Sequence, residues 1–200
     1  MRAGVPDYPR AAAGLALACL LLACLPESLA AQLSWERVAI LGGQWWRLWT
    51  GHLVHFGLQH AMLDAIVLFA GASLLERELG TRRLLRQLLL AAPLVALGLF
   101  AAPGLDEYRG ASSLAATVAL AAGIALWPGA GRWRPALLAG AAAWFCLSAV
   151  QAVRPEWSAA GLPEDVAVAW QAHLLGAACA LLPGWRTATC SAAGIRQPNT

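Results

Sequence analysis

Five side chains in this 200-residue sequence pair reactive chemistry with apolar surroundings: His60, Asp64, Ser112, Ser113 and His173. A charge at the centre of a bilayer costs about 2.5 to 3.5 kcal/mol on insertion scales, so polar groups in apolar stretches need a reason to be there. A serine is a poor nucleophile at neutral pH until a neighbouring base takes its proton. Ser112 as nucleophile with His173 as base is the pairing that acyl transfer requires, and donors aimed at the developing oxyanion would complete it. His60 and Asp64, four residues apart, share one helical face and can look into the same pocket. Blander roles stay open: a Ser among Gly and Ala serves helix packing, and an intramembrane His serves as a structural hydrogen-bond donor. His52, His55 and His60 also raise the question of a metal cluster. Their spacing matches no metal motif, Asp64 is the one acidic or thiolate group beside them, and no metal or cofactor is expected.

Helices can carry Ser112 and His173 into contact only where backbones approach closely, which small residues allow in membranes. Gly110-Ala111-Ser112-Ser113-Leu114-Ala115-Ala116 is followed by Ala119 and Gly123, and His173 is followed by Gly176, Ala177 and Ala180. Counting seven helical residues from Val166 puts His173 roughly 10 Å below the surface. The 17 or so residues from Ser112 cover only about 25 Å, so Ser112 is expected at a similar depth.

The elements that position these groups are membrane helices. Of the residues, 60% are hydrophobic and 12% are charged, with mean hydropathy +0.60. A bilayer core about 30 Å thick needs roughly 17 to 25 apolar residues per helix. Six stretches qualify: Ala11 to Leu25, His60 to Leu75, Leu84 to Ala102, Ala111 to Trp127, Pro135 to Val153 and Val166 to Leu182. Pro26-Glu27, Glu76-Arg77-Glu78, Pro103-Gly104, Pro128-Gly129 with Gly131-Arg132, and Arg154-Pro155-Glu156 read as the loops between them.

Loop charges test that division, because cytoplasmic loops collect basic residues. With the N-terminus inside, cytoplasmic positions hold Arg2, Arg10, Arg77, Arg82, Arg83, Arg86, Arg132, Arg134, Arg186 and Arg196, leaving Arg37, Arg47, Arg109 and Arg154 outside. Outer segments take Glu27, Glu36, Asp106, Glu107, Glu156, Glu164 and Asp165. Both termini are expected in the cytoplasm. The net charge of +3, all of its cations arginine, is too small and scattered for a nucleic-acid surface. The first span also fits a secretory signal peptide, and Leu21-Leu22-Ala23-Cys24 resembles a lipoprotein processing site. Cys19, Cys24, Cys146, Cys179 and Cys190 form no visible disulfide or zinc pattern. The expected organisation is a tail over 1–10, one membrane domain over 11–184 and a tail over 185–200.

Five ordered segments resemble the rhomboid family of intramembrane serine proteases. Trp46-Arg47-Leu48-Trp49-Thr50 resembles its Trp-Arg motif, and His55 with His60-Ala61-Met62-Leu63-Asp64 resembles its His-x-x-x-x-His-x-x-x-Asn segment. Glu76-Arg77-Glu78-Leu79-Gly80 is similar to a Glu-x-x-x-Gly element, Gly110-Ala111-Ser112-Ser113 to Gly-x-Ser-Gly, and Ala172-His173-Leu174-Leu175-Gly176 to Ala-His-x-x-Gly. The resemblance implies an all-α, polytopic six-transmembrane-helix bundle. It implies a Ser112/His173 dyad, an oxyanion site from the Ser112 N–H with His60, and a cavity open to the outer face; Asp64 joins the oxyanion group, and Gly110, His55 and Gly176 support the site.

Three positions depart from the family pattern. Asp64 replaces Asn and as a carboxylate would repel an oxyanion, so it helps only when protonated. Ser113 replaces Gly and offers an alternative hydroxyl, and Ala116 stands where many members carry an aromatic or His beside the imidazole. The run Gly43-Gln44-Trp45-Trp46-Arg47-Leu48-Trp49-Thr50-Gly51-His52 looks most like the rhombosortase branch. That likeness implies a place in the bacterial inner membrane and substrates whose C-terminal tails carry a Gly-Gly motif, one transmembrane helix and a basic cluster. The rival expectation is an inactive rhomboid-like protein that binds client membrane helices; a small transporter is a third.

Overall fold

The computed structural model describes residues 8–154, 161–163, 166 and 168–185. Arg2, Glu156, Glu164, Asp165, Arg186, Cys190 and Arg196, used in the reading above, lie outside the described residues. The fold is an all-α bundle. Helix α1 (Arg10–Leu22) is followed by three short helices, α2 (Glu27–Leu33), α3 (Arg37–Leu41) and α4 (Arg47–Thr50). Then come α5 (Leu58–Leu79), α6 (Thr81–Gly98), α7 (Ser112–Leu126), α8 (Arg134–Val153) and α9 (Trp170–Cys179). Two-residue strands, β1 (Trp35–Glu36) and β2 (Glu107–Tyr108), pair antiparallel and tie the segment after α1 to the segment before α7.

Among the described residues four helical segments are long and apolar enough to cross a bilayer, 58–79, 81–101, 112–129 and 131–151, as befits an integral membrane protein. Helix α1, with 13 residues, and α9, with ten, fall short of that length. The sixth expected stretch began at Val166, but α9 begins only at Trp170, and Val166 N–H donates to Pro163 carbonyl, 3.0 Å away. His173 therefore sits in the first turn of α9, and the depth obtained by counting seven helical residues does not hold.

Glu76-Arg77-Glu78, expected as a loop, instead forms the last turn of α5. The reason is a new partner for a buried carboxylate. Glu76, 0% exposed, accepts the Ala11 and Ala12 N–H groups at 3.1 and 3.0 Å and the Thr81 hydroxyl at 2.7 Å. The first N–H groups of α1 have no intrahelical acceptor and carry partial positive charge, so the carboxylate satisfies them and loses its need for water.

Helix α7 is the centre of the bundle, packed between α5 and α9, while α1 covers α5. Small residues set these distances. A Cβ on Gly71 of α5 would lie 2.8 Å from Val118 Cγ2, and one on Gly176 of α9 would collide with the Ser113 carbonyl. The buried core is correspondingly made of Leu, Val and Ala from α5, α6 and α7. Helix α8 differs: its less exposed residues, Ala141, Trp144, Phe145, Ser148 and Gln151, recur at helical spacing on one face, and the other positions whose burial is described are exposed.

The segment between α1 and α5 is built rather than slack. Arg47, 6% exposed, donates to the carbonyls of Ala31 and Ser34, each at 2.7 Å, and to Gln44 Oε1 at 2.8 Å. Arg37 closes on the carbonyls of Phe100 and Ala102 at 3.0 Å. Trp35, Trp46 and Trp49 donate their indole N–H groups to Ala96, Gln32 and Leu89 carbonyls. These contacts give the Trp-Arg run and its neighbours an architectural role.

Candidate active site

The segment leading into Ser112 is held at every residue. The Tyr108 hydroxyl donates to Gly110 carbonyl at 2.6 Å, Gly110 N–H to Gly51 carbonyl at 3.1 Å, and Ala111 N–H to His55 Nε2 at 3.2 Å. Gly110 is required twice over. Its φ of +134° disfavours any L side chain. A Cβ there would also lie 3.0 Å from the His60 ring and 3.1 Å from Asp64 Oδ2. Ser112 then opens α7, so its N–H has no intrahelical acceptor.

Against this segment stands the end of α5. Asp64 Oδ2 is 3.1 Å from His55 Nε2 and 3.5 Å from His60 Nε2. His55 Nε2 offers either a lone pair, which accepts the Ala111 N–H, or a proton, which donates to Asp64, and cannot do both at once. His60 is edge-on to His55, with ring centroids 5.0 Å apart, and stacks on Phe56. Its Nδ1 is buried with no hydrogen-bond partner among the described residues. Arg109 lies over Phe56, its guanidinium carbon 4.9 Å from the ring, and pairs with Glu27 and Glu107. Hydrogen bonding to Arg109 lowers the Glu27 pKa, and the Glu27 contact in turn raises that of Arg109.

The two adjacent serines have different surroundings. Ser113, 0% exposed, directs its hydroxyl at His52 Nδ1, 3.0 Å away, and its oxygen lies 3.1 Å from that of Tyr108, whose one proton goes to the nearer Gly110 carbonyl. His52 is 1% exposed and its Nε2 is 2.9 Å from Ala92 carbonyl. Nε2 must carry the proton to meet a carbonyl, which leaves Nδ1 as the acceptor for Ser113. Burial drives the His52 pKa down to about 4, so the ring is neutral across the physiological range. Burial likewise pushes the Tyr108 phenol up to about 12, with hydrogen bonds involving Ser113 and Ser112 acting in the opposite direction. With both nitrogens of His52 engaged, a cluster of His52, His55 and His60 is poorly suited to hold a metal.

Ser112 is only partly buried. His173, 7% exposed, projects from α9 one turn before Gly176, the residue that rests on the Ser113 backbone. Thr117 bridges the two helices, its hydroxyl 2.8 Å from Gly176 carbonyl and 2.9 Å from Ser113 carbonyl. His173 Nδ1 is 2.8 Å from Ser148 Oγ on α8, and its ring is 6.0 Å from that of Trp144. The N-terminal ends of α5, α7 and α9 thus supply His60, Ser112 and His173 to one end of the bundle.

Residues 42–189 match the Rhomboid domain. The chain belongs to the rhomboid family. The match spans most of the chain and encloses every group described above except Glu27. No curated protein matches it. Within this rhomboid domain the His52–Ser113 contact is the kind of His–Ser interaction that a Ser/His hydrolase uses.

Sequence reasoning weighed His52 only as a metal ligand and passed over Tyr108, Trp144 and Ser148. For Ser148 a clue existed. It is one of two polar side chains, with Gln151, in the stretch Pro135 to Val153, so the rule that singled out Ser112 applies to it equally. For Tyr108 and Trp144 no local pattern marks the role, because their partners are distant in the chain.

Proposed function

We propose that this rhomboid is an intramembrane serine endopeptidase in which Ser112 attacks and His173 serves as base and then acid. The observation that carries the reading is the closeness of α7 and α9 at Gly176, which leaves no room for a side chain between the backbones that bear the two groups. Partial exposure of Ser112 leaves its oxygen reachable, as attack on a carbonyl demands. The Ser112 N–H, which has no intrahelical acceptor, and the unpartnered Nδ1 of His60 are the donors an oxyanion needs, and Asp64 adds a third when protonated. Gly110 and His55 hold that arrangement, and Gly176 keeps the base close.

The acyl-transfer steps follow. Ser112 Oγ bonds to the scissile carbonyl carbon as its proton passes to His173. His173 protonates the leaving amine, the C–N bond breaks, and water resolves the acyl-enzyme. An apolar cavity of about 670 Å³ between α5, α7 and α8, bordered by Val67, Ala116, Gly123, Ala141 and Trp144, suits a membrane-embedded substrate helix.

The finer reading places six spans in a bacterial cell membrane, with α1 and α9 as short spans, both termini cytoplasmic and the site open outward. Its substrates are membrane-anchored proteins cut near the outer end of a transmembrane helix, with a Gly-Gly-containing C-terminal tail. Glycine favours such a site because it weakens a helix by about 1 kcal/mol relative to Ala and leaves the carbonyl approachable.

A second reading is favoured by one contact, the 3.0 Å Ser113–His52 hydrogen bond, which makes Ser113 the nucleophile. A fluorophosphonate probe applied to the full chain in detergent separates the possibilities. Labelling that disappears in Ser112→Ala and His173→Ala and persists in Ser113→Ala supports the first reading. The reverse pattern supports Ser113. No labelling, together with capture of a membrane helix, would make the protein a binder of client helices.

A further inference from the structure

The imidazole of His173 is held from an unexpected side. Helix α8 is exposed along most of its length, yet Ser148, near its C-terminal end, is 6% exposed and its hydroxyl oxygen is 2.8 Å from His173 Nδ1. The same oxygen is 2.9 Å from the Trp144 carbonyl, to which the hydroxyl donates. A serine hydroxyl has one proton. Once it is given to the carbonyl one turn back, only lone pairs remain to face His173. Nδ1 must then carry the imidazole proton and donate it to Ser148. A neutral imidazole has a single N–H, so Nε2 is left as a lone pair. Nε2 is the nitrogen that a base needs free when Nδ1 is engaged on the far side of the ring.

Trp144 adds a second constraint. Its ring meets the imidazole edge to face at 62°, and it lines the same cavity as Ala116, whose methyl group contributes little bulk there. The backbone carbonyl and the ring of one tryptophan therefore act together. The carbonyl orients the Ser148 hydroxyl, and the indole limits rotation of His173.

We propose that Ser148, assisted by Trp144, is the positioning residue that fixes His173 as the Nδ1–H tautomer. The inference rests on the reading of His173 as the base for Ser112. A neutral hydroxyl does here part of what a carboxylate does in charged triads. It sets the tautomer and ring angle without placing a costly anion among membrane helices. Because it brings no full charge, it stabilises the imidazolium formed during attack less than a carboxylate would, and its main effect is on geometry and tautomer.

The test measures the second-order rate of fluorophosphonate labelling of Ser112 in the full chain in detergent. Ser148→Ala should slow it on the order of 10- to 100-fold. Ser148→Thr, whose hydroxyl can make the same bond to the carbonyl one turn back, should restore it to within a few-fold. Equal rates for wild type, Ser148→Ala and Ser148→Thr, with labelling abolished in His173→Ala, would overturn the role of Ser148 and leave the dyad standing. Undiminished labelling in His173→Ala would instead remove the dyad on which the proposal rests. Should Ser148→Ala fail to insert, the ring ¹⁵N shifts of His173 in otherwise native Ser112→Ala decide the matter. A protonated Nδ1 with a bare Nε2 is the expected spectrum, and a protonated Nε2 would overturn it.

Discussion

Ser112 and Ser113 are covalent neighbours with opposite circumstances. Ser113 is fully buried, its hydroxyl against His52 and Tyr108 and its backbone against α9. Ser112 is at the helix start, partly exposed, two residues after a glycine that its positive φ and the crowding of His60 and Asp64 both require. The better-formed Ser–His hydrogen bond is thus on the less accessible serine. A short contact is evidence of a satisfied pair, and a satisfied, sealed pair is what a structural role looks like. A nucleophile has to meet a substrate carbonyl, so access ranks above hydrogen-bond length in deciding which serine reacts.

The largest expected difference between the two is chemical. His173→Ala should bring fluorophosphonate labelling to background, a loss on the order of 100-fold or more. Ser113→Ala should retain most of it, and a Ser113-dependent label would invert the comparison. Next comes the oxyanion role proposed for His60. With a Gly-Gly-tailed membrane substrate, His60→Ala should lower turnover on the order of 100- to 1000-fold, the effect of losing one such donor. Unchanged turnover would remove His60 from that role.

The inner pair should show itself in stability. Unfolded histidine takes a proton below about 6.5, whereas folded His52 resists protonation down to about 4. The unfolded state therefore binds more protons in that window, and stability falls as pH drops through it, by about 3 kcal/mol in full. Thermal unfolding in detergent should show a component of acid sensitivity that His52→Gln removes. Ser113→Ala, by leaving buried His52 Nδ1 without its donor, should cost about 1 to 3 kcal/mol at neutral pH. A midpoint equal to wild type would deny the pair its structural role.

The smallest effect concerns the outer latch. Arg109 holds the Glu27 pKa below the usual carboxylate range, so this contribution is present above about pH 4.3 and fades as pH falls through the lowered value. Glu27 is largely exposed, so Glu27→Gln should shift the unfolding midpoint only slightly at neutral pH. A large shift would mean that the latch carries more of the outer segment than its exposure suggests.

Much of this was legible beforehand because it depends on composition and local spacing. Apolar length marked α5, α6, α7 and α8 as membrane helices, and the small residue at 176 marked where α9 must lie close to a neighbour. One error came where a charge had a partner far away in the chain. Glu76 looked like a loop residue because an isolated carboxylate belongs in water, but the start of α1, some 65 residues earlier, satisfies it inside the bundle. The start of α9 was misplaced for a different reason, since the apolar run begins at Val166 while the helix begins at Trp170, and hydropathy does not register where a helix starts.

The sequence by itself determined that this protein is a membrane-embedded helical bundle and which few polar side chains its apolar stretches must accommodate, because the cost of burying charge is a local matter. Only the tertiary structure decided which serine is sealed, which nitrogen of His52 bears a proton, and that His173 leans on Ser148. Those choices depend on where single protons go among groups brought together from distant parts of the chain, and spacing along the chain carries no record of them.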